Sequence, residues 1–178
     1  MITDSEREPI KARRSHEAEL AGLYREYYDK IARYASVHIG NRTDAEDIAG
    51  EVFLKALESL GSYKERGIPM QAWLFKIAHN LVVDYLREMS KRRTVNIDSV
   101  TIESDKGPEE IAEVNIEIER VKKAMEQLTR DQREVLSLRF FGELTSKETA
   151  SIMGKSDGAV REMQRAATEK LRIILVTK

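Results

Sequence analysis

TSKETASIMGKSDGAVREMQRAATEKLR, residues Thr145 to Arg172, reads as two helices meeting at a tight turn. Thr145 with Glu148 three residues on forms a capping box, so a helix can start at Ser146 with its first free N–H groups satisfied by side chains. That helix is short. Gly154 follows Met153 where a left-handed backbone step ends it, and Ser156 caps a second helix running from Asp157 towards Leu175.

The spacing of Ala150, Gly154 and Val160 looks like the helix-turn-helix pattern, in which the second helix enters the DNA major groove. Ala150 is small where two steeply crossing helices touch, and Ile152, Met153, Val160 and Met163 supply apolar contacts that fix the crossing. Arg161, Gln164 and Arg165 then fall on a polar side of the second helix, with Lys155 at the turn. Such side chains reach phosphates and base edges. The competing reading is a helical hairpin with a solvated basic face, and only the rest of the chain decides between them.

The chain has 178 residues, enough for one large domain or two small ones. Charged residues make up 34% and aromatics 6%, with 9 Gly and 3 Pro, a balance that favours helices. The net charge of −1 hides an uneven distribution. Gly61 to Arg93 carries seven Lys and Arg against three Asp and Glu, and Ser146 to Lys178 seven against four, whereas Thr94 to Arg120 carries two against eight. Two basic modules joined by an acidic connector are the expectation. There is no cysteine, which excludes disulfides and thiolate metal sites and suits a reducing cytoplasm. The N-terminal residues lack an apolar core, so no signal peptide is expected, and no stretch is long enough to insert in a membrane.

Taken in order, residues 1–15 are polar and mixed in charge, expected to be a disordered tail. From Glu17, the residues Leu20, Leu23, Tyr24, Tyr27, Ile31, Tyr34 and His38 recur at helical spacing up to Gly40, and the tyrosines are expected in the core. A capping box from Thr43 to Glu46 opens a helix whose apolar face is Ile48, Val52, Phe53, Ala56, Leu57 and Leu60. Its other face carries Asp44, Asp47, Glu51, Lys55 and Glu58. After a loop, Pro69 suits the first turn of a long helix with a broad apolar side that includes Trp73, assigned to the core by its phase. The helix ends in REMSKRR, cations that complement the helix dipole or track phosphates. Residues 94–110 read as a linker. A narrow-seamed helix follows from Ile111 to Leu128, and a capping box from Thr129 to Gln132 starts another that Gly142 ends.

Three blocks, DAEDIAGEVFLKAL, AWLFKIAHNLVVDYLRE and DQREVLSLRFFGELTSKETASIMGKSDGAVREMQRAATEKLR, resemble in that order the extracytoplasmic-function sigma factors, small bacterial subunits that direct RNA polymerase to promoters. The resemblance implies an all-α chain of two helical domains. These are a sigma-2 domain over 16–93 and a helix-turn-helix sigma-4 domain over 111–178, with the acidic linker running through the polymerase channels. It further implies that the DAED helix docks on the clamp helices of the largest polymerase subunit through Asp44, Glu46, Asp47, Glu51 and Phe53. The minus-ten strand would be held by Tyr63, Lys64, Arg66, Lys76, Asn80 and Arg87, since single-strand reading needs aromatic or amide groups with cations along the backbone. The minus-thirty-five duplex would meet Arg161, Gln164 and Arg165, with Lys155 and Ser156 on its backbone. An anti-sigma factor is the implied regulatory partner. Two positions depart from the family: Gly50 stands where Gln is frequent, and Ala166 where an arginine is found.

An autonomous helix-turn-helix regulator is the alternative, but it leaves the DAED and AWLFKIAHN helices without work. Catalysis is not expected. No phosphate-cradling glycine loop is present, and His16, His38 and His79 are too scattered in sequence for a metal site or triad, so no cofactor is expected.

Overall fold

The computed structural model describes residues 4–63, 67–95 and 120–176, all helical apart from short connections. Helix α1 spans Asp4–Ile39, α2 Arg42–Ser59 followed by a 3-10 turn at Leu60–Ser62, and α3 Met70–Val95. Then come α4 over 120–126, α5 Arg130–Phe140, α6 Ser146–Met153 and α7 Asp157–Val176. Among these residues no helix is long and apolar enough to cross a membrane.

The tail expected to be disordered over 1–15 is helical from Asp4. Extending a helix that packing has already nucleated costs far less than starting one, and Glu, Arg, Lys and Ala between residues 4 and 15 are good helix formers. Gly40, at φ +77, ends α1, and its N–H bonds Ser36 O at 2.9 Å. The start of α2 also differs from expectation. Asn41 is the N-cap, its side chain accepting from Asp44 N at 3.0 Å, so Thr43 lies inside the first turn rather than capping. Pro69 sits one residue ahead of α3 and its carbonyl accepts from Trp73 N at 3.1 Å. Thr94 and Val95, expected to open the linker over 94–110, instead complete α3, and the rest of that stretch lies outside the described residues. So do residues 111–119 of the seam helix.

Ile31, Tyr34, Val52, Leu74 and Phe75 form the centre of the first module where α1, α2 and α3 meet. Tyr27 and Tyr34 are buried as expected, whereas Tyr24 remains 48% exposed. Leu57 is a second departure, 52% exposed rather than on the packed face of α2.

Helix α5 is the hub of the second module. Its residues Glu134, Val135, Leu136, Ser137 and Leu138 are consecutive and all buried, which requires neighbours on every side. Val135 meets Ala150 and Val160 of the α6–α7 hairpin. Leu136 packs with Met125, Leu128 and Ala167. Leu138, with Leu144 from the next loop, enters the core of the first module itself. The two modules therefore share apolar packing instead of standing apart. Polar contacts cross the same junction: Gln71 donates to Gly142 O, and Lys30 Nζ lies 2.5 Å from Glu143 Oε1. Glu143 holds a left-handed φ of +54, unusual for a residue with a side chain.

Candidate nucleic-acid interface

The hairpin forms as its sequence signals. Thr145 Oγ1 accepts from Glu148 N at 3.3 Å and Glu148 Oε2 accepts from Thr145 N at 2.7 Å, a complete capping box. Gly154 takes the left-handed conformation at φ +63, which a Cβ would penalise. Ser156 Oγ accepts from Ala159 N at 3.2 Å and starts α7. Buried Ala150 and Val160 sit where α6 and α7 cross, with Met153 and Met163 beside them.

On α7 the inward phase is Val160, Met163, Gln164 and Ala167, and the outward phase is Arg161, Glu162, Arg165 and Ala166. Arg161 and Arg165 are thus presented to solvent together. Arg161 pairs with Asp157 at 3.2 Å and Arg165 with Glu162 at 2.5 Å. The Arg165 guanidinium holds the Glu162 carboxyl below its usual value. Gln164 is half-buried on the inward side of the helix. Its side-chain oxygen accepts from Arg139 Nε of α5 at 2.9 Å, which ties the hairpin to the hub helix. Lys155 lies at the turn and pairs with Asp131 at 2.9 Å, and Ser156 is exposed beside it. Glu162, outward between the two arginines, had no distinguishing sequence signal, because an acidic residue in a basic helix reads as an intrahelical partner.

In the first module, Lys76, Asn80 and Arg87 are all exposed on α3, at spacings of four and seven residues that put them along one stripe. Arg87 pairs with Asp84 at 3.4 Å. Asn80 also opens into a cleft of about 510 Å³ between α2 and α3, with Trp73 and Ile77 on one side and Lys55 and Glu58 on the other. Tyr63 closes its end of the module. The ring lies 5.0 Å from Trp73, and its hydroxyl donates to Ile68 O at 2.9 Å. Trp73, expected in the core, packs against it with one side and lines the cleft with the other. Lys64 and Arg66 lie outside the described residues.

The acidic helix divides similarly. Asp47 and Glu51 are exposed on α2, as is Glu46, which pairs with Arg42 at 2.8 Å. Asp44 is half-buried and accepts from Tyr85 of α3 at 2.5 Å. Burial and that acceptor push the Tyr85 hydroxyl up to about 12. Phe53, predicted at a partner surface, is only 7% exposed, with its ring 4.9 Å from Tyr24 in an edge-to-face contact. The apolar groups that α2 does offer are Leu54, 62% exposed, and Leu57. These two leucines stand in water on the same helix as the exposed Asp47 and Glu51.

Two family models match, sigma-70 region 2 over residues 23–93 and sigma-70 region 4 over residues 124–172. The chain is 33% identical over 171 residues to the ECF RNA polymerase sigma factor BldN of Streptomyces coelicolor, an alignment covering 94% of this chain and 65% of that protein. It is 37% identical over 134 residues to the ECF RNA polymerase sigma factor ShbA of Streptomyces griseus, covering 72% of this chain and 70% of ShbA. The sigma factor RpoE in its co-crystal structure with the anti-sigma factor NepR, from Bartonella quintana, has the same fold, with a TM-score of 0.70 at 24% identity over 88% of this chain and 96% of that one. With both sigma-70 regions present in order and relatives of this kind along most of its length, the chain belongs to the extracytoplasmic-function sigma factors, the promoter-specific initiation subunits of bacterial RNA polymerase.

Proposed function

We propose that this chain docks on core RNA polymerase through the outer face of α2 and reads a promoter at two places with its two modules. The observation that carries the reading is the pairing, on one chain, of an amide-and-cation stripe beside a cleft with a capped helix-turn-helix. Each surface suits a different state of DNA.

On α2, Asp47, Glu51 and Glu46 supply charge for orientation, and Leu54 and Leu57 supply apolar area. On α3, Lys76 and Arg87 follow the backbone of the melted minus-ten strand, while an unstacked base enters the cleft against Trp73 and meets the Asn80 amide. Tyr63 braces that cleft. In the second module, Arg161 and Arg165 address base edges or phosphates of the minus-thirty-five duplex, with Glu162 able to accept from a cytosine amino group. Lys155, Ser156 and the N-terminus of α7 face the phosphates. RpoE of Bartonella quintana was co-crystallised with the anti-sigma factor NepR, and an anti-sigma partner is proposed here as well. The autonomous-regulator alternative is not favoured, since region 2 would have no task.

Run-off transcription with purified core polymerase on fragments of the source genome tests this. Transcripts should start only when the chain is added, and their 5′ ends should share two upstream elements. Folded protein with active core and no transcript overturns the reading.

A further inference from the structure

Glu134 is 7% exposed at the centre of α5, and every hydrogen-bond partner described for its carboxylate comes from the other module. Oε1 accepts from Tyr34 OH of α1 at 2.7 Å and from His79 Nδ1 of α3 at 2.9 Å, while Oε2 lies 3.2 Å from His38 Nε2 of α1. An ionised carboxylate only accepts, so His79 Nδ1 carries the hydrogen. The exposed Lys30–Glu143 pair crosses the same junction but is screened by water. A buried carboxylate is different. Removing its partners leaves an uncompensated charge out of water, whereas separation of the modules hydrates all four groups at once.

Size makes this arrangement consequential. The longest element among the described residues, α1 with 36 residues, is about 54 Å from end to end at about 1.5 Å per residue. Promoter elements centred near −10 and −35 are about 25 base pairs apart, or about 85 Å along the duplex at about 3.4 Å per pair. The closed chain cannot touch both.

We infer that Glu134, with Tyr34, His38 and His79, is a latch that holds the two DNA-reading modules shut in the free protein and must break before both promoter elements are engaged. The reason for opening rests on the two-element reading above; the latch itself does not. Leu138 and Leu144 add the apolar part of the closure, and Glu143 is held at its left-handed φ by contacts to Lys30 and Tyr27 that exist only when shut. Burial pushes the Glu134 carboxyl up, but the bond from His79, the nearby His38 and the Tyr34 hydroxyl outweigh it and keep the group ionised.

The chain has no cysteine, so spin labels on Glu19→Cys and Thr168→Cys, exposed positions of α1 and α7, report the separation of the modules in the full chain by pulsed electron resonance. The unaltered latch should give one short distance. Adding core polymerase and promoter DNA should replace it with a long one. Glu134→Ala should raise the open-to-closed ratio at least tenfold in the free protein. Tyr34→Phe, which removes one bond and keeps the packing, should raise it by less and carries the test if Glu134→Ala loses helicity. A long distance already dominant in the starting protein, or an unchanged ratio in both variants with helicity intact, overturns the latch. Opening by Glu134→Ala in a protein that never supports run-off transcription confirms the latch and removes the promoter-reading function instead.

Discussion

Gly142→Ala is the most demanding test of the junction between the modules. A Cβ at Gly142 would sit 2.6 Å from Leu138 O, 3.0 Å from Leu144 Cγ and 3.3 Å from Phe75 Cγ. The first contact is to the backbone carbonyl of the last turn of α5, which cannot step aside as a side-chain tip would. The third is to α3, so the added methyl pushes on both modules at once. Overfilling a packed site costs about 1–3 kcal/mol, and for a chain of this size each kcal/mol lowers Tm by about 2–4 °C. The control is Gly50→Ala in α2, where a Cβ meets nothing within 4 Å and alanine gains about 1 kcal/mol of helix propensity. Urea or thermal unfolding of the two variants should therefore move in opposite directions. The Gly142 variant should also lengthen the label distance between α1 and α7. If Gly142→Ala is as stable as the parent, the junction is not packed as described.

Four further outcomes follow from the geometry. Burial pushes the His38 imidazole down from 6.5 to about 4, against the pull of Glu134 and helped by Arg133, His79 and Arg130. Its stabilisation is complete above pH 6.5 and is lost as pH falls towards 4, at up to about 1.4 kcal/mol per pH unit, with Glu134 adding a further loss below 4.5; urea midpoints against pH should show this slope, and His38→Gln should flatten it. Arg161→Ala and Arg165→Ala should each weaken holoenzyme binding to minus-thirty-five DNA and, where the contact is to phosphate, reduce the salt slope by about 1, while Gln164→Ala should lower stability and leave the slope alone. Phe53→Ala should cost about 3–5 kcal/mol of stability, whereas Leu54→Asp with Leu57→Asp should fold normally and fail in pull-down of core polymerase. Thr145→Ala removes one half of the capping box and should destabilise the second module by about 1 kcal/mol in calorimetry.

Much of the interface was legible because its signals are local. Thr145 with Glu148, Gly154 and Ser156 specify backbone conformation through groups at most three residues away, and all of them form as read. The order of three blocks was enough to identify the family. Phase was harder. Phe53 and Leu57 looked equivalent on a helical wheel, but α1 covers only the Phe53 side of α2 and leaves Leu57 in water. Gln164 looked like a reader beside Arg161 and Arg165, yet Arg139, 25 residues away, claims its oxygen. Thr43 and Asn41 both offered a cap, and the choice depended on how the chain leaves Gly40.

The sequence by itself determined an all-α chain, its helix-turn-helix and its kinship, since propensity, capping and short-range periodicity act within a few residues. Only the tertiary structure decided that the modules close on one another. Glu134 gives no local sign of burial, and its partners stand 100, 96 and 55 residues away, so its surroundings exist only once α1, α3 and α5 are packed.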